Sequence, residues 1–275
     1  ITMDLRGKRV LVTGASKGIG EGAARGFAAA GARVALAART TEAIEALADE
    51  LDGDAYTVDL ADPVQVTGFI DRVEADGALD VLVNNAGIDE WAFIDEMSEE
   101  RIDNLLSLNL ATPLKLTQQV LPGMIERGQG HIVQISSMAS VSPVPGGALY
   151  CASKAGLTHA TACMELDLRG TPVGLTTVYL GYVDNDMGRR SVAADSAKVF
   201  VKRLEPLGLV NLVDPDKAAA GIVEAVAADK RFVLYPKSAA GVVGLSNSAR
   251  RILNGMTKGL VFRTSGPAGD AADGD

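Results

Sequence analysis

The feature that most constrains this chain is a rhythm: short apolar, β-branched runs alternate with long amphipathic stretches. Strands buried on both faces read as unbroken apolar runs, and the stretches between them are long enough to return as helices. The rhythm therefore predicts a parallel sheet covered by crossover helices. Strands are expected at residues 9–13, 33–38, 55–59, 81–84, 131–136, 174–180 and 232–235, with helices beginning near Gly18, Thr41, Pro63, Ser98, Tyr150 and Pro215. Pro63 and Pro215 each follow an aspartate, which supplies an N-cap with proline at the first helical position. With no repeat or internal boundary, residues 1–263 are expected to form one domain. Residues 264–275, rich in Gly, Ala and Asp, are expected to be a disordered tail.

Composition narrows the function classes. Of 275 residues, 47% are apolar and 22% charged, enough for a substantial core. Aromatics are scarce at 4%, whereas alanine and glycine are plentiful, a mix that suits helices packed closely on a sheet. Cys151 and Cys163 are too few for a disulfide scaffold and read as reduced thiols of a cytoplasmic protein. His131 and His159 stand apart from each other and from acidic clusters, so no metal site is expected. The net charge of -9 argues against nucleic acid as a partner. A phosphorylated cofactor would then need a local positive site. No apolar run is long enough to span a bilayer, and with the first strand starting within a few residues no signal peptide is expected in this sequence.

The first strand ends in Thr13-Gly14-Ala15-Ser16-Lys17-Gly18-Ile19-Gly20 and leads straight into a helix. Glycines there permit a tight turn and let backbone approach a pyrophosphate, whose charge meets the free amides of the helix N-terminus. A glycine-rich turn alone is weak, since any tight strand-to-helix turn uses glycine. Its place in the first βα unit gives it weight. The spacing departs from the common G-x-G-x-x-G. It resembles instead the T-G-x-x-x-G-x-G turn of the short-chain dehydrogenase/reductase family, in its compact branch. The resemblance runs from about Leu5 to the strand at Tyr235.

That resemblance implies a single-domain, doubly wound Rossmann fold with a seven-stranded parallel sheet in the order 3-2-1-4-5-6-7. It also implies cofactor contacts at Gly14, Ser16, Lys17, Gly18, Ile19 and Gly20 in the turn. Further along, it implies contacts at Arg39 and Thr40, at Asp59 and Leu60, and at Asn85, Ala86 and Gly87 within the motif Asn84-Asn85-Ala86-Gly87. Asp59 is the position expected to meet the adenine amine, although an aspartate there could also cap a helix; Asp62 is better placed for the cap. A dinucleotide fold selects NAD with an acid at the end of its second strand. Ala38 stands in that place, followed by Arg39, which can pair bidentately with a 2′-phosphate, and Lys17 can add a second positive charge. By default both would be solvated surface charges. In these slots, with the acid missing, they favour NADP(H) over NAD(H).

Ser137 ends the fifth strand, Tyr150 follows, and Lys154 lies four residues later on the same helical face. Free tyrosine, with a pKa of about 10, is a poor base at neutral pH, and bringing it near 7 requires roughly 4 kcal/mol. A cation about 4 Å away supplies on the order of 4 kcal/mol at an effective dielectric of about 20. Desolvation opposes it, so Lys154 and oxidised nicotinamide together are expected to be required. The family resemblance gives Tyr150 the role of proton donor and acceptor and has Ser137 hydrogen-bond the reacting oxygen. It has Lys154 also hold the nicotinamide ribose, and Asn109 kink its helix and hold a water in a proton relay. Each motif alone is common by accident; four in order are not.

The family's P-G-x-V-x-T is frayed in Leu180-Gly181-Tyr182-Val183-Asp184-Asn185, where leucine replaces proline and Asn185 replaces threonine. Val183 and Asn185 are still expected at the nicotinamide end, an asparagine being able to hydrogen-bond the carboxamide. Substrate walls are expected from Met138, Val144, Leu149 and Tyr182, with residues around Trp91 and Phe93, all apolar. Residues 187–204 are a candidate substrate lid, with Arg189, Arg190, Lys198, Lys202 and Arg203 against Asp195 alone, a basic face that could guide an anionic substrate. Residues 237–263 are basic, with Leu245, Ala249, Ile252, Leu253, Met256 and Leu260 on one helical face and Gly255 and Gly259 weakening it. Covering the pocket or a neighbouring subunit is the expected use; peripheral membrane contact is the alternative.

These readings converge on an NADP(H)-dependent oxidoreductase acting on a small apolar alcohol or carbonyl compound, as a homodimer or homotetramer. A 3-oxoacyl reductase acting on carrier- or coenzyme-linked chains and an idle NADP-binding sensor or scaffold are the alternatives.

Overall fold

The computed structural model describes residues 2–194, 201–202, 212–237 and 240–246. Its centre is a seven-stranded parallel sheet: β1 (Arg9–Thr13), β2 (Arg33–Ala38), β3 (Asp54–Thr57), β4 (Val81–Asn84), β5 (Gly130–Ser137), β6 (Val173–Leu180) and β7 (Phe232–Tyr235). Their spatial order is β3-β2-β1-β4-β5-β6-β7, with the reversal between β1 and β4. Such a switch point opens a crevice at the carboxyl ends of the strands.

Because side chains alternate along a strand, Val10 and Val12 enter one core layer and Leu11 the other. The first layer is covered by α1 (Gly18–Ala29), α2 (Thr41–Leu51) and α9 (Pro215–Ala227), with Phe27, Ile44 and Ile222 fully buried against the sheet. Burying each such side chain stabilises the fold by about 1.5–3 kcal/mol. The abundance of small residues has a use here. A Cβ on Gly22 would stand 3.0 Å from Ala219, and one on Gly26 2.9 Å from Val223, so α1 and α9 lie close together where their side chains are smallest. The second layer is covered by α3 (Pro63–Val66), α4 (Phe69–Glu74), α6 (Thr112–Glu126) and α7 (Ala148–Asp167).

The expected helix from Pro63 is two short ones. Asp62 caps α3 by accepting a hydrogen bond from Val64 N at 2.8 Å, but Thr67 is extended and Gly68 left-handed at φ +65, and α4 restarts beyond them. The third strand also lies slightly earlier than the expected 55–59, its pairing with β2 ending at Ala38↔Thr57.

The helix expected from Ser98 begins with that residue as N-cap to α5 (Glu99–Leu106), then widens into a π turn at Ser107–Ala111 before α6. Pro113 explains the turn. It has no N–H for the carbonyl of Asn109, and its ring crowds that carbonyl, so the backbone bulges there. After β6, α8 (Asp186–Ala193) crosses the mouth of the crevice, and α10 (Ala240–Ser246) follows β7. Asp195, Lys198 and Arg203 of the expected lid lie outside the described residues, as do Ala249, Ile252, Leu253, Met256, Leu260 and the expected tail. No helix among the described residues is long and apolar enough to cross a membrane.

Candidate active site

A cavity of about 700 Å³ occupies the crevice, running from the glycine turn to α8. At one end the turn after β1 is locked to the segment after β4. Thr13 Oγ1 accepts from Asn85 N at 2.9 Å and Ala86 N at 3.0 Å, while the Asn85 amide donates to the carbonyls of Thr13 at 2.9 Å and Gly14 at 3.2 Å. Gly14 is left-handed at φ +66, and a Cβ there would lie 2.9 Å from Ala86 Cα. Gly20 faces away from the cavity: its Cβ would fall 2.2 Å from the Gly14 carbonyl. Its glycine serves the contact between helix and turn, and it is not a wall residue. Ser16, Lys17, Gly18 and Ile19 do line the cavity, and α1 has no side-chain cap on its first amides. Those amides, at the wall of the cavity, fit a pyrophosphate.

Beyond the turn, Arg39, Thr40, Asp59 and Leu60 line the same cavity. Lys17 and Arg39 are both exposed, and neither has a carboxylate partner among the described residues. Asp59 accepts from Ala61 N at 3.0 Å, and the helix-capping task falls to Asp62. The donor set at this end suits an adenosine bearing a phosphate.

At the other end stand Ser137, Tyr150 and Lys154. Ser137 is the last residue of β5; Tyr150 and Lys154 are one turn apart on α7. The Ser137 hydroxyl donates to the Leu180 carbonyl at 3.2 Å, accepts from Ala139 N at 3.1 Å and is close enough to the Tyr150 phenol to lower its pKa. Lys154 Nζ donates to the Ile135 carbonyl at 2.9 Å and lies 6.0 Å from the centre of the Tyr150 ring. Burial dominates both groups. It pushes the phenol up to about 12, against the lowering effect of Ser137, and lowers the ammonium to about 8. In this geometry burial outweighs the acidification of Tyr150 expected from the lysine.

Asn109, in the π turn, is buried and off the cavity wall. Its oxygen accepts from Ile88 N at 2.9 Å and its amide donates to Ile88 O at 2.8 Å. A Cβ on Gly87 would meet Asn109 Oδ1 at 3.1 Å and Lys154 Nζ at 3.6 Å, so the last glycine of Asn-Asn-Ala-Gly lets these two side chains approach.

Asn185 lines the cavity beside Val183, but its oxygen is already used. It caps α8 by accepting from Gly188 N at 2.9 Å, and its amide nitrogen would lie 3.4 Å from a Cβ on Gly18. The remaining donor thus faces the glycine turn. Of the expected substrate walls, Met138, Val144, Tyr182 and Trp91 are present; Leu149 and Phe93 are not. Leu149 precedes Tyr150 by one helical position, about 100° around α7, and is buried, whereas Phe93 is exposed on the outer surface. Two of the cations expected to make the lid basic are paired with acids. Arg189 pairs with Asp184 at 2.8 Å and Arg190 with Asp89 at 3.6 Å, acids that lie outside the counted segment. Asp89 and Ser191, which shape this end, were missed. Asp89 was within reach of the rule that loops at the carboxyl ends of strands line the crevice.

A doubly wound sheet with the glycine turn at its first crossover and a Ser–Tyr–Lys set at the same sheet edge is the architecture of short-chain dehydrogenases/reductases. Residues 8–196 match the family model described as short chain dehydrogenase, and this chain belongs to that family. Among its relatives are the oxidoreductase UcpA of Salmonella typhimurium, 36% identical over 222 residues, 77% of this chain and 84% of that protein. The bovine dehydrogenase/reductase SDR family member 7B is 34% identical over 209 residues, which span 72% of this chain but only 64% of the relative. A crystal structure of a putative NAD(P)-dependent gluconate 5-dehydrogenase from Beutenbergia cavernae, with bound NADP, superposes with a TM-score of 0.75. It has 31% identity and covers 84% of this chain and 96% of that one.

Proposed function

We propose that this chain is an NADP(H)-dependent oxidoreductase that interconverts a hydroxyl and a carbonyl on a small organic substrate, with Tyr150 as general acid and base. The observation that carries the reading is one cavity with two cations that have no carboxylate partner among the described residues, Lys17 and Arg39, at one end and the Ser137–Tyr150–Lys154 set at the other. The NADP in the Beutenbergia relative supports the cofactor assignment.

Lys17 and Arg39 would hold the adenosine phosphate, Gly14 to Ile19 the pyrophosphate, and Lys154 the ribose hydroxyls near Tyr150. Bound NADP(H) supplies or accepts the hydride and, when oxidised, adds a positive charge to this end of the cavity. Ser137 and Tyr150 line the same end of the cavity, so one would orient a substrate oxygen while the other exchanges a proton. A phenol at about 12 is protonated at neutral pH, the form that carbonyl reduction consumes. Oxidation needs it near 7, a change of about 7 kcal/mol, which Lys154 and the oxidised nicotinamide would supply together. Asn109 braces Ile88 and Gly87 against the lysine, and the missing amide of Pro113 leaves its carbonyl without the usual helical partner, a place where a proton relay can attach.

The test is a panel of ketones, steroids and acyl thioesters followed at the reduced-nicotinamide absorbance. Turnover by the wild type, falling about 10²–10⁴-fold in Tyr150→Phe while NADPH binding is retained, supports the reading. No turnover across the panel, with NADPH bound, would favour a sensor or scaffold.

A further inference from the structure

The end of the cavity beyond Tyr150 is organised around one carboxylate that the mechanism does not use. Asp89, in the loop after β4, has a side chain only 7% exposed. Trp91 Nε1 donates to its Oδ2 at 2.9 Å, and Ser191 Oγ of α8 lies 2.9 Å from the same oxygen. The Trp91 nitrogen also reaches Ser191 Oγ at 3.0 Å, and Arg190, next along α8, closes on Oδ1 at 3.6 Å. The indole in turn leans on the Tyr150 ring, centroids 5.7 Å apart at 44°, and a Cβ on Gly147 would strike it at 2.7 Å, so it has little freedom.

We propose that Asp89 is a positioning and specificity-determining residue: it clamps Trp91 and α8 as the roof of the substrate pocket and makes that pocket select neutral, apolar carbonyl compounds. The inference rests on the oxidoreductase reading above. Its charge logic is local. Both described arginines of α8 face an acid, Arg190 Asp89 and Arg189 Asp184, so α8 itself offers an anionic substrate no unpaired cation among its described residues. The facing walls, Trp91, Met138, Val144, Tyr182 and Met187, reward apolar surface instead. A buried carboxylate near Tyr150 further repels negative charge from the reacting end, and it acts on the phenol in the same sense, raising its pKa.

Trp91 is the single tryptophan of the chain, so its emission reads the clamp without any substrate. In Asp89→Ala the emission is expected to move to longer wavelength, and KM for a neutral aromatic ketone to rise by about tenfold or more, the loss typical of a charge-assisted bond. The Kd for NADPH should stay within about twofold, because the cofactor end is untouched. Asp89→Asn keeps an oxygen that can accept from Trp91 and Ser191 but frees Arg190. Emission near wild type with a lowered KM for anionic ketones is the expected result. Unchanged emission and KM in Asp89→Ala, or unchanged neutral-over-anionic preference in Asp89→Asn, would overturn the proposal. Should Asp89→Ala fail to fold by circular dichroism, Ser191→Ala removes one strut of the same clamp and must show the same red shift. A wild type inactive on every carbonyl sinks the oxidoreductase reading, whereas the emission of Asp89→Ala still decides whether the clamp exists.

Discussion

Replacing Lys154 by methionine should make the protein more stable while removing its turnover. The ammonium is 5% exposed and its main partner is the neutral Ile135 carbonyl, so burial lowers its pKa from 10.5 to about 8. That shift corresponds to a penalty of about 3 kcal/mol for carrying the charge in the folded state at neutral pH. Methionine fills a similar volume and removes the charge but leaves the Ile135 carbonyl with one partner fewer, which costs about 1–2 kcal/mol. The net gain is about 1–2 kcal/mol at pH 7. Between pH 8 and 10.5 the unfolded chain binds more protons at this lysine than the folded one does. Wild-type stability therefore climbs as pH rises through that window, and the penalty applies in full below it. Tyr150, whose pKa is raised, works the other way but only from pH 10 to about 12. Urea unfolding of both proteins at a fixed concentration without cofactor, at pH 7, 8, 9 and 9.5, measures the difference directly. It should be largest at pH 7 and shrink above pH 8. A variant less stable than wild type at pH 7, with a pH slope parallel to wild type, would refute the claim that the lysine is held charged at a cost.

Three further outcomes follow from the cofactor end. Arg39→Ala should weaken NADPH relative to NADH by about 10–100-fold in binding titrations, since an unpaired guanidinium is lost from the phosphate position. In Gly20→Ala the methyl would fall 2.2 Å from the Gly14 carbonyl. A stability loss of about 1–3 kcal/mol and weakened NADPH affinity are expected, by thermal melting and calorimetry. Asn185→Ala should uncap α8 at about 1 kcal/mol and speed amide exchange there, whereas Asn185→Thr keeps a capping oxygen and should exchange nearly as wild type.

Much of this protein was decided by its sequence alone, because the signals concerned are local or periodic. Unbroken β-branched runs, too apolar for a solvated face, placed six of the seven strands within a residue at both ends, and proline after aspartate marked the starts of α3 and α9. Chirality of crossover and the glycine turn then leave few ways to order the strands. The four-residue spacing of Tyr150 and Lys154 fixed their common face in the same way. What tertiary structure decided are the contacts whose partners are distant along the chain. A residue's neighbours across 100 positions, as for Trp91 and Ser191, leave no period to read. The pairing of Arg189 and Arg190 needed Asp184 and Asp89 to be brought to them, which no count of charges within the lid could reveal. Burial likewise set the ionisation of Tyr150 and Lys154: sequence says which groups can exchange protons, but desolvation depends on everything packed around them.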